Sequence, residues 1–367
     1  MPFAHITGWG MYVPEPVLTN DDIAKLVDTN DEWIRDRTGI RERHIAREHE
    51  FPSTLAVEAS IKALRVANLA PTELDLIICA SSSPEYIFPA TACLIQDQIG
   101  ATKAGAFDMS AACTGFVYAV NMAAQAIRSG SIKNALVIGT ETLSRFVDWK
   151  DRNTCILFGD GAGAFVLQAS EKPGGVLSAV MHSDGSGADS LTLLGGGSRH
   201  PASEATIHEG KHFVQMDGKE VFRFATRVMG RATLEALELA GMTTDDVKCI
   251  IPHQANYRII ETAAKYLKLS MDKFVVNVDR YGNTSTASIP IATVEAAQDG
   301  RVEPGDKVVF VAFGAGLTWG AMVVEWTGPI PVKKHVRPEQ YRIFARLRSF
   351  VRRAIRFIEG FLSRKEL

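Results

Sequence analysis

Apolar and polar residues follow two recurring patterns along most of the chain. One pattern is a short apolar run, and the other is a longer amphipathic segment. Runs of five to ten apolar residues predict buried strands, and segments with apolar residues three and four apart predict helices. The predicted strands are 3–13, 74–80, 104–109, 134–139, a strand following the glycine turn at 159–163, 176–181, 247–251, 274–278, 307–313 and 318–326. The predicted helices are 20–27, 54–67, 90–99, 116–127, 220–240, 256–267 and 286–298. Strands that alternate with helices indicate an α/β protein.

The two halves of this pattern resemble each other. The run from Leu74 to Ser81 is similar to the run from Val247 to His253. Cys113 precedes Gly130 by 17 residues, and Asn283 precedes Gly300 by the same distance. We therefore predict a duplicated α/β unit, with one half at 1–175 and the other at 176–327. The duplication would place Cys113 and Asn283 at equivalent helix starts, facing each other.

Composition favours an enzyme of the cytoplasm. The 367 residues are 46% hydrophobic and 22% charged, which is typical of a globular protein with a large core. The uncharged run 308–324 is short for a membrane span and is interrupted by Gly314 and Gly316, so we interpret it as two buried strands. The N-terminus has no signal-peptide pattern, and the five cysteines form no disulfide or zinc spacing. Neither a metal nor a nucleic-acid partner is expected.

The C-terminal segment differs from the rest in charge. Residues 331–367 contain 11 Lys and Arg against three Glu, whereas the remainder of the chain carries a net charge of −10. The prolines at 329, 331 and 338 predict a linker over 328–340, and apolar residues at helical spacing predict a basic amphipathic helix over 341–367. Three uses remain open: peripheral contact with an anionic membrane, docking of an acidic partner, and packing on the acidic body of the protein's own dimer.

Cys113 lies in a segment of small residues between the predicted strand 104–109 and the predicted helix 116–127. A helix N-terminus presents free N–H groups and the positive end of the helix dipole, which lowers a thiol pKa. The position therefore predicts a nucleophile, although a small buried cysteine at a packed turn would give the same pattern.

His253 and Asn283 lie in two further turns of the second half. His253 follows the predicted strand 247–251, and Asn283 follows Gly282 ahead of the predicted helix 286–298. Each alone is typical of a structural histidine or a turn asparagine. In open α/β sheets, sites form at the carboxyl ends of strands, and a neutral donor pair beside a cysteine can stabilise a developing oxyanion.

These stretches together resemble the β-ketoacyl-acyl-carrier-protein synthase III family, the initiating condensing enzymes of the thiolase-like superfamily. The resemblance rests on Asp31–Ile45, the Cys113, His253 and Asn283 stretches, Asp151-Arg152 with the glycine turn at 158–163, and Phe313–Gly316. It implies a thiolase-like fold with two pseudo-symmetric halves in αβαβα layers. It also implies that Cys113 takes an acyl group from coenzyme A, and that His253 and Asn283 stabilise the enolate formed when malonyl-carrier protein loses carbon dioxide.

The resemblance assigns further roles. Backbone N–H groups of Cys113 and Ala315 would form the oxyanion hole, although the family usually has glycine where Ala315 stands. Trp33, Arg37 and Arg152 would bind coenzyme A, which is a substrate, so no separate cofactor is implied. Phe88 would close the acyl pocket of the partner in a homodimer. The carrier protein would dock on three basic residues, which are Arg258, Arg223 and Lys265.

Related classes differ at single positions. A degradative thiolase would have a second cysteine in the loop 314–316, and an elongating synthase would have histidine in place of Asn283. A plant-type polyketide synthase or another acyltransferase keeps the same three residue types, and a scaffold without turnover is a non-enzymatic alternative. The segment from Trp33 to Ile45 favours the initiating enzyme.

Overall fold

A computed structural model describes residues 1–329 and 335–363 of the chain. Within these ranges, no helix is both long and apolar enough to cross a membrane. The predicted linker 328–340 and the predicted helix 341–367 therefore fall partly outside the described residues, at 330–334 and 364–367.

Thirteen strands and eleven α-helices make up the described chain. The strands are β1 Phe3–Tyr12, β2 Val17–Thr19, β3 Glu42–His44, β4 Leu76–Ala80, β5 Gly105–Met109, β6 Asn134–Glu141, β7 Gly161–Ser170, β8 Gly175–Ser183, β9 Leu191–Thr192, β10 Gln215–Met216, β11 Cys249–Pro252, β12 Lys307–Gly314 and β13 Thr318–Glu325. The helices are α1 Asn20–Ala24, α2 Asp31–Thr38, α3 Pro52–Ala67, α4 Thr91–Ile99, α5 Gly115–Arg128, α6 Glu204–His208, α7 Gly218–Leu239, α8 Tyr257–Leu267, α9 Val278–Tyr281, α10 Ser288–Gln298 and α11 Pro338–Ser363.

Two mixed sheets stack face to face with helices between and outside them. One sheet has the order β1-β7-β6-β4-β5 and the other the order β11-β12-β13-β8. Helices α5 and α10 lie between the sheets and share one hydrophobic core with both. Helices α3 and α4 cover the outer face of the first sheet, and α7 and α8 cover the outer face of the second. The predicted αβαβα layering is confirmed.

The starts of the two central helices are built alike. A turn of 3₁₀ helix precedes α5 at Ala112–Thr114 and precedes α10 at Ser285–Ala287. The first residue of each turn has a left-handed backbone, with φ of 46° at Ala112 and 48° at Ser285. Cys113 lies inside its turn, whereas Asn283 lies two residues ahead of the other. The predicted equivalence of Cys113 and Asn283 is therefore wrong by three residues, because α10 begins later than its spacing to Gly300 suggested.

Two segments differ from the expected elements. Residues 274–278 form no strand, because the side chain of Gln254 makes hydrogen bonds with this segment that a neighbouring strand would otherwise make. Its amide donates to the Val275 carbonyl, and its oxygen accepts from the Asn277 N–H. No helix or strand is predicted within the polar segment 31–45. The segment contains α2, capped by the Asn30 side chain at the Trp33 N–H, and strand β3, which pairs with β2.

The C-terminal helix α11 begins at Pro338, three residues before its predicted start. Proline is favoured at the first helical position, where its missing N–H costs no hydrogen bond. The helix packs on α3 and α4.

Candidate active site

Cys113 is held in a turn that bridges the two halves. The hydroxyls of Thr114 and Thr318 lie 2.8 Å apart, and the Thr318 hydroxyl also donates to the Ala111 carbonyl at 3.1 Å. These contacts fix the cysteine turn against the start of β13. The thiol is 8% exposed and lies at the N-terminal end of α5, as predicted.

The prediction that the helix start lowers the pKa of Cys113 is wrong for the free protein. Burial raises the pKa of the thiol to about 12, while a hydrogen bond from Ser285 lowers it by less and the Glu141 carboxylate raises it further. Removing a thiolate from water outweighs the favourable helix start. The thiol is therefore protonated at pH 7.

Gly314 makes the closest approach to the cysteine. A Cβ atom at Gly314 would lie 2.7 Å from the Cys113 nitrogen and 3.2 Å from its Cβ atom. Ala315, the unusual residue of this loop, follows directly. The described non-glycine residues with a left-handed backbone do not include Ala315, so alanine is not strained there.

His253 is buried at the end of β11. Its ring lies edge-on to Phe313 with centroids 5.4 Å apart, and its Nδ1 is 2.7 Å from the Ser288 hydroxyl. Its Nε2 is buried without a hydrogen-bond partner among the described residues. Burial lowers the pKa of His253 to about 3, so the ring is neutral at physiological pH. When the Ser288 hydroxyl donates to Nδ1, the ring proton is on Nε2.

Asn283 is fixed by its backbone and by one side of its amide. Its N–H donates to the Leu157 carbonyl at 2.8 Å, and its carbonyl accepts from the Gly159 N–H at 3.1 Å. Its Oδ1 accepts from the Ser285 N–H at 2.9 Å. Because Oδ1 is occupied, Nδ2 is left to donate.

Glu141 ties the two halves together beneath this site. It is fully buried at the end of β6 and accepts hydrogen bonds from the hydroxyls of Ser83, at 2.6 Å, and Thr286, at 2.9 Å. Burial raises the pKa of its carboxyl group. The carboxyl group thereby holds the Ser285–Ala287 turn against the first half.

One cavity of about 1180 Å³ brings the three predicted residues together. Cys113, His253 and Asn283 all line it, and so do Trp33 and Arg37. The first three are buried and the last two are partly or fully exposed, so the cavity connects the thiol to the surface.

The predicted coenzyme residues cluster around the Trp33 ring. The guanidinium carbon of Arg152 lies 4.3 Å from the ring centroid and that of Arg37 lies 5.5 Å from it. Arg152 does not line the cavity. A ring stacked between Trp33 and Arg152 needs about 7 Å, so Arg152 would have to move by roughly 3 Å.

Of the four remaining predicted residues, two line the cavity and two do not. Arg223 and Arg258 line the cavity, and Arg258 also lies over the Phe222 ring at 5.7 Å. Lys265 is exposed, pairs with Glu261 at 3.0 Å and does not line the cavity. Phe88 is 84% exposed and is also absent from the lining.

Sequence reasoning missed Ser288 and Glu141. A signal existed for Glu141, which is a charged residue ending an apolar strand, but none existed for Ser288. Among the described residues, no group of three or more His, Cys, Asp or Glu side chains could hold a metal ion.

Comparison with known proteins gives consistent matches over most of the chain. Family models for the 3-oxoacyl-(acyl-carrier-protein) synthase III domain match residues 107–185, and those for its C-terminal domain match 237–326. A beta-ketoacyl-acyl-carrier-protein synthase III from Desulfitobacterium hafniense (strain Y51) is 56% identical over 322 residues, covering 88% of this chain and 97% of that protein.

Solved structures agree. The crystal structure of 3-oxoacyl-(acyl-carrier-protein) synthase III from Aquifex aeolicus VF5 matches with a TM-score of 0.81 and 48% identity, covering 88% of this chain and all of that one. The priming β-ketosynthase of the R1128 polyketide pathway matches with a TM-score of 0.83 and 36% identity, covering 89% of this chain and 97% of that one.

The fold is that of a thiolase-like condensing enzyme, an acyltransferase. Within that class, the chain belongs to the β-ketoacyl-acyl-carrier-protein synthase III family, which initiates fatty-acid synthesis. The resemblance read from the sequence is thereby confirmed.

Proposed function

We propose that this chain condenses an acyl-coenzyme A primer with malonyl-carrier protein through an acyl-Cys113 intermediate. The observation that carries the proposal is the shared cavity, in which a buried thiol, a neutral histidine and an amide donor meet beside a half-buried tryptophan and an exposed arginine.

In the first half-reaction, the Cys113 sulfur attacks the thioester carbon and coenzyme A leaves. The cysteine–acyl bond replaces the coenzyme–acyl bond, and the thiol proton ends on the coenzyme A sulfur. Backbone N–H groups of Cys113 and Ala315 receive the negative oxygen of the tetrahedral intermediate. The high pKa of the free thiol means that the proton leaves only as the thioester arrives.

In the second half-reaction, malonyl-carrier protein loses carbon dioxide and becomes an enolate. Nε2 of His253 and Nδ2 of Asn283 donate hydrogen bonds to the enolate oxygen. The neutral state of His253 favours this role, because a neutral donor beside a developing anion does not transfer its proton early. The enolate carbon then attacks acyl-Cys113, the sulfur leaves and takes up a proton, and 3-ketoacyl-carrier protein is released.

Substrates enter from the exposed end of the cavity in this proposal. Trp33 and Arg152 stack on the adenine of coenzyme A, and Arg37 contacts phosphate, since guanidinium groups pair with both rings and phosphates. Arg258 and Arg223 receive the acidic carrier protein, with Lys265 at the edge of that surface.

A homodimer completes the acyl pocket. Strand β5 is an edge strand bonded only to β4, and its Phe107 is 42% exposed. The loop at Tyr86, Ile87 and Phe88 exposes three more large apolar side chains. Open strand edges and exposed apolar loops are typical of surfaces covered by another subunit. We place the dimer in the cytoplasm.

Intact-mass measurement tests the first step. Incubation with acetyl-coenzyme A should add one acetyl mass to the wild-type protein and none to Cys113→Ser, and ketoacyl product should appear only with malonyl-carrier protein. A protein that gains no acyl mass from coenzyme A thioesters of any chain length would contradict the proposal.

A related second function is priming of a polyketide pathway, which the match to the R1128 priming synthase favours. The chemistry is the same, and the carrier protein differs. A comparison of malonyl groups carried by fatty-acid and polyketide carrier proteins would distinguish the two functions by kcat/KM.

A further inference from the structure

Helix α11 lies outside the part of the chain that matches the family. The C-terminal family model ends at residue 326, and the whole Aquifex chain is covered by 88% of this one. The condensation chemistry therefore does not account for this helix.

The first half of α11 docks on the body through its polar side. Arg342 pairs with Glu58 at 2.6 Å, and Arg348 pairs with Asp97 at 2.9 Å. The Ser349 hydroxyl also donates to Asp97, and Ala345 packs against Gly100. An amphipathic helix on a protein surface normally buries its apolar face, so this docking is inverted.

The apolar side of the helix consequently faces away from the body. We call it the apolar strip, and it comprises Ile343, Phe344, Leu347, Phe350, Val351 and Ile358. Each of these side chains is between 45% and 70% exposed. Successive helical residues are offset by about 100°, so Leu347 is about 200° from the buried Ala345 and from the buried Ser349. The strip and the docked side are thus on opposite sides of one helix.

The helix also extends beyond the body. Every residue from Phe350 to Glu359 is exposed, a length of about 15 Å. This segment is held clear of an acidic body whose charge would otherwise oppose contact with an anionic surface.

Arginines occupy much of the helix surface outside the strip. The stretch 340–358 contains six arginines and no acidic residue. Within the described residues, Arg346, Arg352, Arg353 and Arg356 form no ion pair. Long cationic side chains beside an apolar strip can reach lipid phosphates while the strip enters the acyl region.

This charge pattern distinguishes between the possible binding partners of the apolar strip. Two copies meeting strip to strip would bring together eight arginines that have no acidic partner among the described residues, which opposes self-association. An acidic protein partner would satisfy the arginines but must also supply an apolar groove. An anionic bilayer supplies phosphates and acyl chains together. We infer that α11 is a peripheral membrane anchor that holds the enzyme on an anionic lipid surface, with the apolar strip in the headgroup–acyl boundary.

Vesicle flotation with the full-length protein tests this inference. Vesicles containing roughly 30 mol% phosphatidylglycerol in phosphatidylcholine should float the protein, and phosphatidylcholine vesicles should float much less. The double substitution Leu347→Ser/Phe350→Ser should lower the partition coefficient roughly tenfold or more, since two large apolar side chains leave the interface. Arg346→Gln and Arg353→Gln should each lower it about fivefold.

A matched control replaces two similarly exposed apolar side chains elsewhere on the protein surface. Ile207 and Leu239 are each 65% exposed and lie on α6 and α7, so Ile207→Ser/Leu239→Ser should leave flotation unchanged. Circular dichroism and acetylation of Cys113 in each variant confirm that the body is folded.

Four outcomes would overturn the inference. The protein could remain at the bottom of the gradient with both lipids. It could bind both lipids equally with no response to the arginine substitutions. Alternatively, sedimentation velocity could show that Leu347→Ser/Phe350→Ser dissociates a larger assembly while flotation is absent, which would assign the strip to a second copy. Retention of wild type, but not of that variant, on immobilised carrier protein without lipid binding would assign it to an acidic protein.

Discussion

We expect the Ser288 hydroxyl to set the proton position on the His253 ring, and its removal to slow one half-reaction selectively. The Ser288 hydroxyl and Nδ1 of His253 are 2.7 Å apart and both residues are buried. The alanine variant leaves Nδ1 without a donor and allows the tautomer in which Nε2 carries no proton. That tautomer cannot donate to the enolate oxygen.

The size of the effect follows from the lost hydrogen bond. A buried neutral hydrogen bond contributes about 1–2 kcal/mol, which corresponds to a roughly 5- to 30-fold change in rate. Ser288→Ala should therefore reduce carbon dioxide release from malonyl-carrier protein by about that factor. Acylation of Cys113 by acetyl-coenzyme A should change by less than about threefold, because His253 takes no part in it.

Two assays and a spectrum measure this separation. Single-turnover acylation is followed by intact mass, and decarboxylation by release of labelled carbon dioxide. Nitrogen chemical shifts of labelled histidine distinguish the two tautomers directly, a readout that a merely structural role of Ser288 would not move. Ser288→Thr keeps the hydroxyl and should restore much of the decarboxylation rate.

The control is a buried hydroxyl on the same helix. Thr293 donates to the Ile289 carbonyl at 2.8 Å and has no hydrogen bond to His253, so Thr293→Val should leave both half-reactions intact. An equal loss in both half-reactions of Ser288→Ala, or a wild-type spectrum with the proton on Nδ1, would refute the reasoning.

Three other predictions concern stability, the cysteine turn and coenzyme affinity. The pKa of His253 is about 3 in the folded protein against 6.5 for a histidine in water, so its neutral form stabilises the fold above pH 6.5, and this contribution is lost as the pH falls toward 3. Between pH 7.5 and 5, wild type should lose about 2 kcal/mol more unfolding free energy in urea than His253→Gln does. Gly314→Ala should abolish detectable acylation while the fold remains, because its Cβ atom would displace the Cys113 nitrogen. Trp33→Ala should raise KM for acyl-coenzyme A roughly tenfold with little change in decarboxylation, since a stacking surface is lost.

Matched controls accompany these variants. His208 is exposed, so His208→Gln should keep the pH dependence of wild type. A Cβ atom introduced at Gly197 would have no other atom within 4 Å, and the backbone there is not left-handed, so Gly197→Ala should acylate normally. A pH dependence equal in wild type and His253→Gln, normal acylation in Gly314→Ala, or an unchanged KM in Trp33→Ala would each contradict the corresponding argument.

Local patterns in the sequence were sufficient for most strands and helices, whereas the layer order and the grouping of Cys113, His253 and Asn283 came from the family resemblance. Apolar runs identified most of the strands of both sheets, because a strand covered on both faces needs a continuous apolar run. Cys113 and His253 were found because each follows such a run at a turn. The strand predicted at 274–278 failed because the Gln254 side chain, distant in sequence, supplies hydrogen bonds that a strand would have made.

The acidity of the thiol could not be read from the sequence. Its position at a helix start was correct, yet its pKa depends on burial and on Glu141 and Ser285, which reach it from other parts of the chain. The partner of His253 was missed for the same reason, since a hydrogen bond across 35 residues has no local pattern.

For α11, the sequence alone determined a basic amphipathic helix, because periodicity and charge are properties of consecutive residues. The tertiary structure decided which side of that helix meets the body. Ion pairs with Glu58 and Asp97 hold its polar side, and so the apolar strip faces outward. The direction in which a helix docks depends on the surface beneath it, which is assembled from α3 and α4, more than 230 positions earlier in the chain.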